Sequence, residues 1–169
     1  MKRGMQLLSL VFFIFANANV QAQNQTVFLI RHAEKTLDGG TDPGLSAKGH
    51  ERAERFAELI KPANPTAIYS TQYQRTLRTG QPLASALGIP VTVIAIDKDN
   101  ASSYASLLLE RICALPKGAN AVVIGHSNSI PSTIEAWTHE KVKPIEENDY
   151  DRLFLVKLNE CQASDSMDI

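Results

Sequence analysis

"TVFLIRHAEKT", residues 26–36, begins as a run of apolar strand formers, Val27 to Ile30, and ends in Arg31, His32 and Glu34. A strand that is apolar at every position, with no polar alternation, is one covered on both faces, as in the sheets of α/β proteins. The chain leaves the interior where that run stops. A cation, an imidazole and a carboxylate gathered at such a point call for a role beyond solubility.

The same pattern recurs toward the C terminus. After the loop "LDGGTDPGLS", Ser46 is placed to cap a helix whose Ala53, Phe56, Ala57 and Ile60 repeat at helical spacing and which Lys61-Pro62 ends. Ala67 to Tyr69 form a short second strand, and Tyr73 and Leu77 open a helical segment that runs to Leu87. Pro82 is expected to kink or restart it, and Gly88 closes it. Val91 to Ile96 read as a third strand, and Tyr104, Leu107, Leu108 and Ile112 mark a third helix. Ala121 to Ile124 make a fourth strand ending at Gly125-His126. The next helix carries Ser127 or Ser129 as cap, Pro131 in its first turn, and Ile130, Ile134 and Trp137 on its core face. Leu153 to Leu158 complete the strands, and the polar tail after Cys161 reads as loose.

Strands alternating with helices imply an α/β fold, here a three-layer α/β/α sandwich around a largely parallel central sheet. Such sheets bind ligands at the carboxyl ends of their strands. The residues just past those ends are Arg31 and His32, then Ser70 followed by Arg75, then Asp97 and Asp99, then His126. Four strand ends thus deliver charged or titratable groups to one edge.

Toward the N terminus, Lys2 and Arg3 precede the apolar stretch Leu7 to Ala16, and Val20-Gln21-Ala22 offers small residues for cleavage. Residues 1–22 therefore read as a signal peptide, too short in its apolar run to span a bilayer, and residues 23–169 as a single domain that is exported, periplasmic or secreted, with no stable membrane insertion after cleavage. With 44% apolar and 21% charged residues and a formal net charge of −1, the composition is that of one globular core. It offers no basic stripe for nucleic acid. Cys113 and Cys161 lack any metal-ligand spacing, so no metal or other cofactor is expected. In an oxidising compartment they could pair, with Cys113 as a plain core residue the alternative. The oligomeric state is left open.

Two histidines, two arginines and a carboxylate on one edge suit phosphoryl transfer through a covalent phosphohistidine. A neutral imidazole is nucleophilic near pH 7, and neighbouring arginines disfavour its protonation. Guanidinium forks match phosphate oxygens and stabilise transition-state charge, and a carboxylic acid can protonate the leaving alkoxide.

The ordered motifs "RHAEKT", "STQYQRTLRT" and "GHSNS", with "LSAKGHERAE" and "PLASALGIPV" between them, closely resemble the histidine phosphatase superfamily, also called phosphoglycerate mutase-like. The resemblance spans roughly Val27 to Trp137. It implies a phosphoglycerate mutase-like fold and a metal-independent phosphatase, a phosphoric monoester hydrolase acting on a small phosphorylated substrate. It also implies His32 as the phosphorylated nucleophile, with Arg31, Arg75 and His126 completing the phosphate pocket. The mutase-type branch places its proton donor after the third strand, which favours Asp97, with Asp99 and Glu34 as alternatives; where the acid phosphatase branch has an aspartate after the second histidine, this chain has Ser127. A mutase is disfavoured because the segment from Asp97 to Leu115 leaves little room for a lid.

Two other readings stand beside this one. A noncatalytic phosphate- or phosphosugar-binding module could present a similar pocket. A serine hydrolase using Ser127 would need a glycine where Ser129 stands, and no later acid-then-histidine order follows. His50 and His139, and Arg52, Arg55 and Arg78, read as solvated residues on helices or their ends.

Overall fold

The computed structural model describes residues 24–38, 40–97 and 99–169, with the backbone alone at 164 and 165. The signal peptide expected over residues 1–22 lies outside the described residues.

The elements follow the order β1 (Gln25–Arg31), α1 (Ala47–Ile60), a 3-10 turn (Lys61–Ala63), β2 (Ala67–Ser70), α2 (Gln74–Leu87), β3 (Val91–Val93), α3 (Tyr104–Cys113), β4 (Ala121–Gly125), α4 (Ser129–Thr138), β5 (Leu153–Asn159) and β6 (Gln162–Asp168). They build one sheet in the order β3-β2-β4-β1-β5-β6. The pairs β1–β4, β2–β4 and β2–β3 are parallel, and β5 and β6 are antiparallel to their neighbours.

The apolar run of β1 supplies two cores at once. Val27 and Leu29 point to one face, where they pack with Val123, Tyr104, Leu108 and Ile112 of α3, and Ile130, Ile134 and Trp137 of α4. Phe28 and Ile30 point to the other, against Val122, Ile124, Phe56 and Ile60 of α1 and Leu83 of α2. Alternation along a strand puts successive residues on opposite faces, so a strand sandwiched between helix layers must be apolar at both parities. Among the described residues no helix is long and apolar enough to cross a membrane.

Several local expectations are corrected. Helix α2 runs through Pro82 without a break. Its buried face, Thr79, Gly80, Leu83 and Ala84, holds it to the sheet, and the carbonyl that Pro82 cannot serve belongs to Arg78, an exposed residue. Strand β3 stops at Val93, although Ile94 still donates to the Ser70 carbonyl at 2.8 Å. The tail after Cys161 is not loose: residues 162–168 form β6 beside β5, joined by a tight turn with Glu160 and Cys161 at φ 48° and 64°. Cys113 and Cys161 are disulfide-bonded, so the end of α3 is tied to that turn.

Ser46 caps α1 as expected, its hydroxyl accepting from the Gly49 amide at 3.1 Å. Gly49 then faces the strand-end loop so closely that a Cβ would overlap the Glu34 carbonyl, which itself accepts from the Ser46 amide at 2.8 Å. The glycine thus lets α1 seat directly on residues 32–34. In an ordinary helix interior Gly→Ala stabilises by about 0.5–1 kcal/mol. Here Gly49→Ala should instead destabilise by about 1–3 kcal/mol, the usual cost of overpacking, read as a lower urea midpoint at unchanged m-value.

Candidate active site

The parallel ladder of β1 and β4 pairs Arg31 with Gly125, and the next amide, His32 N–H, donates to the Gly125 carbonyl at 2.9 Å. This one bond places the residue after β1 beside the residue after β4. The rings of His32 and His126 accordingly lie 5.4 Å apart, edge to face. A cleft of about 570 Å³ opens over them, lined by Arg31, His32, Lys35, Tyr73, Arg75, Asp97, His126, Ser127 and Glu147 among others. Arg31, His32, Arg75, His126 and Asp97, singled out from four separate stretches of sequence, are brought together there.

His32 is only 4% exposed, and its Nδ1 lies 2.8 Å from the Ala33 carbonyl. A carbonyl can only accept, so Nδ1 carries the proton and the neutral ring keeps its lone pair on Nε2. Burial, joined by the charges of Arg31, Arg75 and Lys35, pushes the ring's pKa down to about 4 against the opposing Ala33 bond. His32 is therefore neutral at pH 7, with one defined nucleophilic nitrogen.

His126 is held through hydroxyls. Thr76 Oγ1 donates to backbone carbonyls, those of Tyr73 at 2.8 Å and Thr71 at 3.2 Å. It also lies 2.8 Å from Thr71 Oγ1, which is hydrogen-bonded to His126 Nε2 at 3.0 Å. Burial, with Arg75, His32 and Arg31 adding to it, lowers this pKa to about 3. The backbone amide of His126 is fixed by Ser129 Oγ at 2.9 Å. Ser129 thus serves the turn into α4, whose N-cap is Asn128.

The two arginines are anchored differently. Arg31 is clasped from behind: Nη1 donates to the carbonyls of Glu146, Glu147 and Asp149 at 2.8, 2.9 and 3.2 Å, and its guanidinium stacks 4.3 Å over the Tyr150 ring. Its Nη2 meets the Glu147 carboxylate at 3.3 Å. Arg75 lies 4.5 Å over the Tyr73 ring and 3.7 Å from Asp42. Asp42 also accepts from the Gln74 amide at 3.0 Å, at the start of α2.

Of the three candidate acids, Asp97 alone lines the cleft. Its Oδ1 accepts from the amides of Asp99 and Asn100 at 2.8 and 3.0 Å. The loop that carries it is held by Gln72, whose amide side chain both accepts from Ile96 N and donates to Ile96 O, at 3.0 and 2.8 Å. Asp99 is exposed and does not line the cleft. Glu34 does not line the cleft. Arg52 grips it with two bonds of 2.8 Å and Lys48 approaches to 3.3 Å, and the Arg52 bonds hold its pKa at about 2. It is a half-buried ion-pair partner that keeps Arg52, also joined to Asp151, off the solvated surface expected for it. Ser127 lines the cleft, but His139 ends the far side of α4 as its C-cap, which leaves the serine-hydrolase pattern without its base.

Lys35, Thr71 and Gln72 lie within the quoted motifs without being singled out, and Glu147 lies outside them, its role coming from contacts with Arg31 and Lys35 far off in sequence. Thr71 could have been suspected, as it directly follows the end of β2.

Residues 27–96 match the family model of the Histidine phosphatase superfamily (branch 1). That span contains Arg31, His32 and Arg75 and ends before Asp97 and His126. Among curated proteins, the human "6-phosphofructo-2-kinase/fructose-2,6-bisphosphatase 4" is 35% identical over 78 residues, 43% of this chain and 16% of that protein. The "Probable phosphoglycerate mutase GpmB" of Salmonella paratyphi C is 35% identical over 72 residues, 39% of this chain and 34% of that one. The alignments thus span about a sixth and a third of those relatives. Among solved structures, the protein histidine phosphatase SixA complexed with tungstate superposes with a TM-score of 0.66 at 17% identity, covering 85% of this chain and 96% of that one. A mycobacterial glucosyl-3-phosphoglycerate phosphatase gives 0.67 at 15% identity, covering 79% and 90%. The chain thus shares the α/β fold of these solved phosphatases, and residues 27–96 resemble the histidine phosphatase superfamily.

Both histidines have folded pKa values depressed below the ordinary 6.5. Their neutral forms stabilise the fold fully above pH 6.5, and that contribution is lost as pH falls, because the unfolded chain takes up protons first. Urea stability should therefore fall between pH 6.5 and 4, and His32→Asn or His126→Asn should each flatten that slope. The loss tied to Glu34 belongs to a lower window, between about pH 4.5 and 2.

Proposed function

We propose that the chain is a metal-independent phosphohydrolase that cleaves phosphomonoesters through a phosphohistidine at His32. The observation that carries the reading is the Nδ1 bond of His32 to the Ala33 carbonyl, which fixes Nε2 as the basic nitrogen inside a cleft walled by Arg31, Arg75 and His126. Nε2 attacks phosphorus, an N–P bond forms, and the ester P–O bond breaks. The departing alkoxide takes its proton from Asp97. Water then attacks the phosphoenzyme, restoring Nε2 and releasing inorganic phosphate. The arginine forks hold the non-bridging oxygens throughout. His126 contacts the phosphoryl oxygens from the far side of the pocket, and the dianion favours its holding a proton toward them. Support also comes from related folds solved with tungstate and with inorganic phosphate.

The protein is further proposed to be exported and to act on small phosphorylated compounds outside the cytoplasm. The Cys113–Cys161 disulfide supports this placement, since such bonds persist in oxidising compartments.

The test is turnover of p-nitrophenyl phosphate and of an alkyl phosphate, with and without chelator. Activity should survive chelation, and His32→Ala should lose it, leaving an acid-labile phosphoenzyme trappable only in the wild type. Asp97→Asn should slow the alkyl ester by about 10²-fold or more, the scale of general acid catalysis, and scarcely affect the nitrophenyl ester, whose leaving group needs no proton. If phosphate binds but no ester turns over, the noncatalytic binding module becomes the better reading.

A further inference from the structure

Arg31 has little freedom in how it can meet a phosphoryl group. Its Nη1 is committed to three backbone carbonyls, at 146, 147 and 149, and its guanidinium plane is stacked on Tyr150. The whole residue is 5% exposed. The guanidinium therefore cannot turn to present Nη1, and Nη2 is the terminal nitrogen left to face an anion in the cleft. Nη2 already has one: Glu147 Oε2 lies 3.3 Å away, while Oε1 of the same carboxylate lies 3.7 Å from Lys35 Nζ. Both cations and Glu147 line the same cleft as His32.

The Glu147 side chain is not needed to anchor its loop. The backbone there is held by the Arg31 clasp, by the Asp149 amide donating to the Glu146 carbonyl at 3.0 Å, and by buried Ile145 in the core. Its carboxylate contacts Arg31 and Lys35, and its side chain is 69% exposed, so it can leave without dismantling structure. Asp42 differs, because its contact with Arg75 comes with an anchoring bond to the Gln74 amide.

We propose that Glu147 is a built-in competitor for the phosphoryl site: its carboxylate occupies Arg31 Nη2 and Lys35 and must be displaced by the phosphoryl group. The inference rests on the phosphate-pocket reading above. A fixed penalty on every entering phosphoryl group lowers the affinity for inorganic phosphate and for esters by the same factor. Glu147 thereby favours release of product. It sets the affinity of the phosphoryl site and is not the proton donor.

Calorimetric titration of the full chain with inorganic phosphate tests this. Glu147→Gln, isosteric and neutral, should tighten phosphate binding about two- to fivefold, the scale of a partly exposed ion pair. Asp149→Asn removes the same charge from the same loop away from the cleft lining and should change affinity less than about twofold, which excludes a long-range charge effect. Unfolding midpoints should show both variants folded. Unchanged or weaker phosphate binding in Glu147→Gln overturns the inference, as does the signature of a proton donor, with unaltered phosphate affinity and slowed alkyl-ester turnover. If neither wild type nor Glu147→Gln binds phosphate, or if Arg75→Ala leaves binding intact in both, the phosphate-pocket reading itself falls, and the inference with it.

Discussion

The pairing of β1 with β4 is the constraint on which the site depends. These two strands are far apart in sequence, yet their parallel register ends with Arg31 opposite Gly125 and extends one bond further, from His32 N–H to the Gly125 carbonyl. A slip of one residue would turn each side chain of β1 to the opposite face. It would exchange the two cores and swing His32 away from His126. The apolar side chains of β1 forbid that slip, because Val27 and Leu29 fit one helix layer while Phe28 and Ile30 fit the other. The hydrophobic core thereby acts as the device that aligns two imidazoles.

Around those imidazoles the structure arranges its charges by contrast. His32 and His126 are kept neutral by burial and by neighbouring cations, while those cations are held in place by backbone carbonyls, aromatic rings and carboxylates. A neutral nucleophile beside fixed positive charge suits a reaction in which negative charge enters, and the donors need no reorganisation when it does. The hydroxyl chain from Thr76 through Thr71 to His126, and the Gln72 clamp on Ile96, extend the same logic one layer outward. They fix side-chain and loop placement without touching the reacting atoms.

The legible parts of the molecule were those written in local chemistry. A doubly covered strand announces itself by apolar residues at both parities, and β1, β2 and β4 did so, carrying His32, Arg75 and His126 to one edge. Strand β6 was invisible because Gln162, Ala163 and Ser166 are not strand formers, and its turn lacks the glycine or asparagine that usually supplies positive φ. It is a strand because β5 offers it a ladder. Strand β3 was overestimated at Ile96 for the converse reason: the residue is apolar, but its backbone partner is a glutamine side chain. Glu34 and Glu147 could not be told apart by sequence, since each is defined by a distant arginine, Arg52 for one and Arg31 for the other.

The disulfide between Cys113 and Cys161 bears on more than the hairpin turn it reaches. It closes a covalent loop with a sequence separation of 48 residues, and inside that loop lie β4, His126, α4, the segment that clasps Arg31, and β5. Closing a loop of that length removes chain entropy from the unfolded state worth about 4 kcal/mol in the polymer estimate. That is a sizeable part of the roughly 5–15 kcal/mol by which domains are stable. His126 and the segment that clasps Arg31 therefore belong to a span whose hold on the fold is strengthened by that crosslink, and reduction of the bond weakens it.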